Sequence, residues 1–277
     1  MTAKLLLCFL ASAVLVACGG ESADELDPDV EAVTTGAWYR PAADVTWHWQ
    51  LDGAISTAHE VDLYDVDLFD VPDAVIAELH GRGAKVLCYF SAGSSEAWRP
   101  DQVDLPEPAQ GEELSGYPDE RWLDVRSLAV FDVMTARLDL ARSRGCDGVE
   151  PDNVAGHMND TGFPLTAADV LAFNRNLANE AHRRGLAIAL KNDGEQAREL
   201  VDYYDLELNE QCFEYDECDQ LRPFVAAGKP VLNVEYAGSL AEANELAASV
   251  CPRARAVGLR TLVLPVDLDD EFRVSCF

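Results

Sequence analysis

Residues 145–157 read GCDGVEPDNVAGH and set Asp147, Glu150 and Asp152 around a short, otherwise apolar stretch. Carboxylates that close together repel one another. On an exposed loop the repulsion is small, whereas in a cleft it moves at least one pKa and makes that group available for acid/base work. Further acids end two other apolar runs, Glu210 in YYDLELNE and Glu235 in PVLNVEY. Paired carboxyls suit the cleavage of a glycosidic bond, in which one protonates the leaving oxygen and the other acts as nucleophile or base. Asp152 and Glu210 are the expected pair, with Glu150 and Glu235 as competing acids. Lys191, in LKND, is expected to pair with Asp152 or Glu150 rather than form a Schiff base, because an acidic neighbourhood raises a lysine pKa. Trp49, Tyr89 and Tyr236, with Trp38, Trp47, Trp98, Trp122 and Tyr215, offer flat faces on which sugar rings could stack; core packing explains Trp47 and Trp49 equally well.

Other chemistries find less support. Ser91 in FSAGS lacks the Gly-x-Ser-x-Gly order of a hydrolase elbow. No CxxC pair is present and the five histidines are scattered, so neither a metal nor a cofactor is expected. His80 and His182 fall at helix ends, and DLDDE (267–271) lacks the spacing of a calcium loop and reads as a solvated acidic turn.

Positioning these residues needs strands whose ends converge. Candidate strands are 45–51, 61–69, 85–91, 147–151, 186–192, 203–210, 230–236 and 261–268. Helical patterns lie between them: 72–80 opens with Pro72 and stops at Gly81, 127–144 ends at Gly145, and 167–184 follows Thr166 with Asp169 as an acidic capping-box partner. Residues 194–200, 219–227 and 240–250 fill three more crossovers. Eight strands and alternating helices predict a single closed (β/α)8 barrel over residues 34–277, although the crossover after the first strand is short for a helix. In such a barrel Gln50, Asp67, Tyr89, Ser91, Glu150, Asp152, Asn153, Lys191, Asn192, Asn209, Glu210, Glu235 and Tyr236 share the rim where active sites form. A long excursion, 92–126, also belongs to that face.

The first residues, MTAKLLLCFLASAVLVAC, join one lysine to an apolar run too short for the roughly 20 residues of a membrane span. Leu15-Val16-Ala17-Cys18 resembles a bacterial lipoprotein box. Residues 1–17 are thus expected to be a leader, Cys18 the lipidated first mature residue, and 18–33 a flexible acidic tether. An exported, membrane-anchored lipoprotein at the periplasmic or outer surface follows as the expected location. The formal net charge of −29 excludes nucleic acid as a general partner and favours a cationic substrate. Beyond Cys8 and Cys18, six cysteines remain, an even count that suggests disulfides. Cys212 with Cys218, Cys251 with Cys276 and Cys88 with Cys146 are the candidate pairs.

CYFSAGSSEAWRPD (88–101), ERWLDVR (120–126), GCDGVEPDNVAGH (145–157), the long run 161–193, LNEQCFEYDEC (208–218) and GKPVLNVEY (228–236) together resemble glycoside hydrolase family 114, the endo-α-1,4-polygalactosaminidases. The resemblance covers nearly all of 36–277. It implies a barrel that cuts α-1,4-linked galactosamine polymers, a cationic polysaccharide, with Asp152 and Glu210 as the catalytic carboxylates and Lys191, Asn192, Glu235 and Tyr236 in the polar rim. Ala155 departs from the acidic or polar residue the family often has after DNV. Asp152 is expected to be the nucleophile or base, supported by Lys191 and Asn153. Glu210 is expected to be the proton donor, its pKa raised by Phe213 and Tyr215, and retention of configuration is the expected outcome. A monomer is expected, and a polysaccharide-binding lipoprotein without turnover is the alternative.

Overall fold

The computed structural model describes residues 25, 26 and 32–277. The expected leader, Cys18 and most of the expected tether lie outside them. The chain runs β1 (Trp47–Gln50), β2 (Leu63–Asp67), α1 (Asp73–Gly81), β3 (Lys85–Ser91), β4 (Ser94–Glu96), β5 (Gln110–Leu114), β6 (Tyr117–Leu123), α2 (Leu128–Arg144), β7 (Gly148–Asp152), α3 (Ala167–Arg183), β8 (Ala187–Lys191), α4 (Ala197–Leu200), β9 (Leu206–Glu210), α5 (Arg222–Ala226), β10 (Val231–Tyr236), α6 (Leu240–Val257), β11 (Arg260–Leu264) and β12 (Val274–Ser275).

β1, β2, β3, β7, β8, β9, β10 and β11 pair side by side in that order, all parallel, and β12 adds to β11 antiparallel. The result is a curled, open half-barrel of nine strands, with six α-helices among the described residues, not the closed (β/α)8 barrel that the strand count predicts. Two features account for the difference. Residues 51–62 join β1 to β2 without a helix, and β11 leads through a loop into β12, which takes up the edge hydrogen bonds of β11. Among the described residues no strand ladder joins β1 to that far edge. Side chains link the two instead: Trp47 Nε1 donates to the Arg260 carbonyl at 2.7 Å and Arg260 Nε to the Val45 carbonyl at 2.9 Å.

Alternation along the strands makes two apolar layers. Trp47, Trp49, Leu63, Leu87, Leu206, Leu208, Leu232, Val234 and Leu262 fill the concave side. Val86, Cys88, Phe90, Val149 and Ile188 face outward against buried residues of α2 and α3 such as Met134, Leu138, Phe173 and Leu177. Start signals behave as sequence suggests: the Thr166 hydroxyl accepts from Asp169 N, and the Asp169 carboxylate accepts from Thr166 N. α6 runs on to Val257 with Pro252 inside it, past the expected end at 250. All three candidate disulfides form, Cys88–Cys146 between β3 and the start of the β7 segment, Cys212–Cys218 beyond β9, and Cys251–Cys276 from α6 to the chain end.

The excursion between β3 and α2 folds into its own three-stranded antiparallel sheet in the order β4-β6-β5. Its hairpin turns at Ser115-Gly116, where Gly116 takes φ +91°, and Leu114 pairs with Tyr117. The small sheet is fixed to the large one at Gly93. Ala92 N and Gly93 N both donate to the Asp152 carbonyl, Leu123 N donates to the Gly93 carbonyl, and a Cβ at Gly93 would collide with the Asn153 carbonyl.

Candidate active site

The three carboxylates of the opening motif have three different environments. Asp147 precedes β7 at its lower end, where it accepts from Lys85 Nζ at 2.7 Å, His80 Nε2 at 2.8 Å and Val86 N at 3.0 Å. It serves the scaffold. Glu150 is wholly buried inside the sheet, and only Asp152, at the strand end, reaches the cleft.

Lys191 organises the floor. Its buried ammonium lies 3.0 Å from Glu150 Oε1, 3.3 Å from Asp152 Oδ1 and 3.4 Å from Glu210 Oε2, and 4.8 Å from the centre of the Trp49 ring. Burial pulls its pKa down, but Asp152, Glu150 and Glu210 together push it well above the ordinary lysine value. The ammonium keeps its charge, which removes the Schiff-base role. Beneath it, burial pushes Asp65 of β2 up to about 8 and Glu150 well above the carboxylate range, in both cases against the pull of Lys191.

Glu210 departs from expectation. Burial raises its pKa, but the charge of Lys191 and hydrogen bonds from Tyr236 Oη, Asn192 Nδ2 (2.7 Å) and Lys191 outweigh it and hold the carboxyl below the usual glutamate value. Phe213 and Tyr215 do not supply the raising environment: Phe213 stacks under the Arg253 guanidinium at 4.7 Å, and Tyr215 is exposed. Asp152 Oδ1 accepts from Asn153 N at 2.7 Å, and its Oδ2 from Tyr89 Oη at 3.3 Å. Asn153, Asn192 and Gln211, each immediately after the strand end that carries a floor residue, all have positive φ (60°, 55° and 59°). Residues other than glycine adopt that backbone uncommonly, asparagine more readily than most, and here it ends each strand sharply.

The floor opens into a cleft of about 490 Å³ bordered by Trp49, Tyr89, Asp152, Asn153, Lys191, Asn192, Glu210 and Tyr236. A second lobe, about 540 Å³, adjoins it through Leu114, Tyr117, Asp152, Asn153, Lys191 and Asn192, and continues past Trp122, Glu112, Glu113 and Asp160. The two form a groove with Asp152 where they meet.

Four residues expected to touch substrate lie elsewhere. Asp67 is buried against Arg99 (3.0 Å), and Ser91 is buried between Ser94 and Asn153. Glu150 lies under Lys191, and Glu235 accepts from Phe213 N at 3.0 Å and Asn233 Nδ2 at 3.2 Å. Sequence reasoning missed Leu114, Tyr117 and Glu120, which β5 and β6 bring to the cleft, and Val266, Asp267 and Leu268 from the loop after β11. The Ser115-Gly116 dipeptide is the signal that could have revealed the hairpin. Among the described residues one group could offer three metal ligands, His48, His59 and Asp270. Their candidate ligand atoms lie within 4.8 Å of one another, His59 Nε2 is held by Asp270 at 2.9 Å, and the two imidazoles sit 4.1 Å apart, tilted by 39°.

Comparison with known proteins places this geometry. No curated protein matches the chain. The crystal structure of Aspergillus fumigatus Ega3 in complex with galactosamine superimposes with a TM-score of 0.82 at 38% identity, covering 87% of this chain and 99% of that one. The glycoside hydrolase domain of PelA from Pseudomonas aeruginosa shares the fold at 16% identity, with a TM-score of 0.67, covering 83% of this chain and 98% of that domain. The profile of glycoside-hydrolase family GH114 matches residues 28–277. The chain belongs to glycoside hydrolase family GH114 and is an endo-acting glycoside hydrolase.

Proposed function

We propose that this hydrolase cuts within chains of α-1,4-linked galactosamine, with Asp152 and Glu210 as its paired carboxylates. The observation that carries the pairing is the single ammonium of Lys191, 3.3 Å from Asp152 and 3.4 Å from Glu210. Sharing that partner holds the two oxygens within about 7 Å of one another, short of most of the range for inverting enzymes, and favours retention. A two-lobed groove with the acids at the junction suits a polymer bound on both sides of the scissile bond.

In this reading Asp152 attacks the anomeric carbon while Glu210 gives its proton to the leaving oxygen, a step that the lowered Glu210 pKa places on the acidic side of neutrality. Tyr89 Oη and Asn153 N steady the Asp152 anion before attack. Water then attacks the glycosyl-enzyme, activated by Glu210 as a base. Tyr236 and Asn192, which favour the Glu210 carboxylate, support this second half. The substrate rests on two supports: the similar Ega3 structure holds galactosamine, and a chain of net charge −29 attracts a polymer of ammonium-bearing sugars. Anchorage through a lipid on Cys18 belongs to the same proposal and is supported by the apolar run that precedes it.

Incubation with α-1,4-linked galactosamine oligomers, followed by mass spectrometry of chain length, tests the function. Internal cleavage into mid-sized fragments is the expected result; oligomers that bind and emerge at full length would overturn it.

A further inference from the structure

Glu120 projects from β6 into the cleft that Asp152, Lys191 and Glu210 line, with 8% of its surface exposed. Its Oε2 accepts from Ser94 Oγ at 2.9 Å. Ser94 Oγ lies in turn 2.5 Å from Ser91 Oγ and 3.2 Å from Asn153 Nδ2, so the carboxyl is held by a chain of hydrogen bonds running to the residue after Asp152.

What distinguishes Glu120 from Asp152 and Glu210, the carboxylates beside it in the cleft, is its lack of a counter-ion. Glu96 next along the small sheet has Arg99 at 2.8 Å, Asp67 has the same arginine, and Glu150, Asp152 and Glu210 share Lys191. Among the described residues, no lysine, arginine or histidine forms an ion pair with Glu120. A carboxyl buried without a cation is costly to ionise. Burial accordingly pushes it up to about 7, Glu96 and Asp152 add to the rise, and Ser94 and Arg99 oppose it. It stands inside the groove as a site that lacks one positive charge.

We propose that Glu120 is the counter-charge for the ammonium group of a bound amino sugar and so determines the preference for free amine over acetamide. The proposal rests on the amino-sugar reading of the preceding section. An ammonium placed against Glu120 completes an ion pair shielded from water, a charge-assisted hydrogen bond of the strong kind. An N-acetyl group in the same place brings no charge, leaves the carboxyl protonated and adds bulk beside Ser94.

The test compares the wild-type protein with Glu120→Gln on galactosamine oligomers and on fully N-acetylated oligomers of the same length. Affinity is read as KM or, for an oligomer that is not cut, as its inhibition constant. Glutamine keeps the acceptor for Ser94, and the melting temperature of the variant checks its fold. Loss of one hydrogen bond to a charged partner is expected to raise KM for the galactosamine oligomer roughly ten- to a hundredfold. kcat should change far less, and the N-acetylated oligomer should keep its constant within a few-fold, so the preference for the amine collapses. Equal losses on both oligomers, or a preference that survives in the variant, would overturn the role of Glu120 while leaving the substrate reading in place. A wild-type protein that cuts only N-acetylated chains would overturn the substrate reading, and this proposal with it.

Discussion

Replacing Lys191 by methionine keeps most of the side-chain volume against Trp49 and removes the one cation among Glu150, Asp152 and Glu210. Breaking a buried ion pair from one side costs about 3–5 kcal/mol, because the partner charge stays behind without compensation. For a chain of this size each kcal/mol lowers the melting temperature by about 2–4 °C, so a fall of roughly 6–20 °C is expected near neutral pH. The pH dependence carries the sharper test. In the native protein Lys191 helps hold the Glu210 carboxyl below its ordinary value, a contribution present above the unfolded pKa and lost as pH falls through the folded one. Without Lys191 only Tyr236 and Asn192 oppose burial, the folded pKa rises, and the stability that the Glu210 carboxylate contributes above the unfolded pKa diminishes. The gap in melting temperature between wild type and Lys191→Met should therefore shrink steadily from pH 7 toward about 4, where unfolded glutamates take up protons. Scanning calorimetry across that range measures it. A gap below about 2 °C at pH 7, or one that stays constant with pH, refutes the view that Lys191 is the counter-ion of the floor.

Asp152→Asn and Glu210→Gln should each lower kcat by about 10²–10⁴ or more in variants that still fold, and either variant retaining wild-type turnover removes that residue from the catalytic pair. Tyr236→Phe withdraws a donor from the Glu210 anion and should raise the pKa of that carboxyl. If Glu210 is the proton donor, the alkaline limb of the kcat/KM profile moves to higher pH; movement of the acid limb instead would make it the nucleophile. Asp65→Asn should gain stability over wild type as pH rises from about 4 to about 8, because the native Asp65 carboxyl, pushed up to about 8, holds a proton that the unfolded chain has released; denaturation curves at intervals across that window, if parallel, count against it. Cys18→Ser should move the protein from the membrane to the soluble fraction, and full retention in the membrane would sink the anchor.

The floor was legible because it sits at strand ends: DGVEPD, IALK and LELNE show where side chains must emerge, whatever happens at the edges of the sheet. Closure was not legible. It depends on whether β1 meets β11, and a count of apolar runs does not show that residues 265–273 loop back into β12 instead of forming a helix. The same limit misplaced several side chains. Glu150 and Asp152 differ by two positions and share a strand, yet one is sealed beneath Lys191 and the other opens to the cleft, a matter of depth rather than of face. For Glu210 the reading looked to the next aromatics in sequence, whereas Lys191, Asn192 and Tyr236, contributed by other strands, set its ionisation. The three disulfides fell within reach because Cys88 and Cys146 lie on neighbouring strand segments, Cys212 and Cys218 close one short loop, and Cys251 and Cys276 tie the last helix to the chain end.

The attachment at Gly93 divides the molecule into a part that reacts and a part that selects. Bond breaking rests on residues of the parallel sheet, whereas Leu114, Tyr117, Glu120 and Trp122, which border the groove, arrive on one continuous hairpin. That hairpin is fixed to the Asp152 carbonyl by Ala92 N and Gly93 N, and to the Gly93 carbonyl by Leu123 N. Its graft boundaries are thereby defined: a segment exchanged between Ser94 and Trp122, with Gly93 and Leu123 kept and with Arg99 and Asp101 retained for Asp67 and Arg137, replaces neither reacting carboxylate. Directed evolution confined to the remaining residues of that stretch can then search polymer preference while both acids of the pair stay fixed.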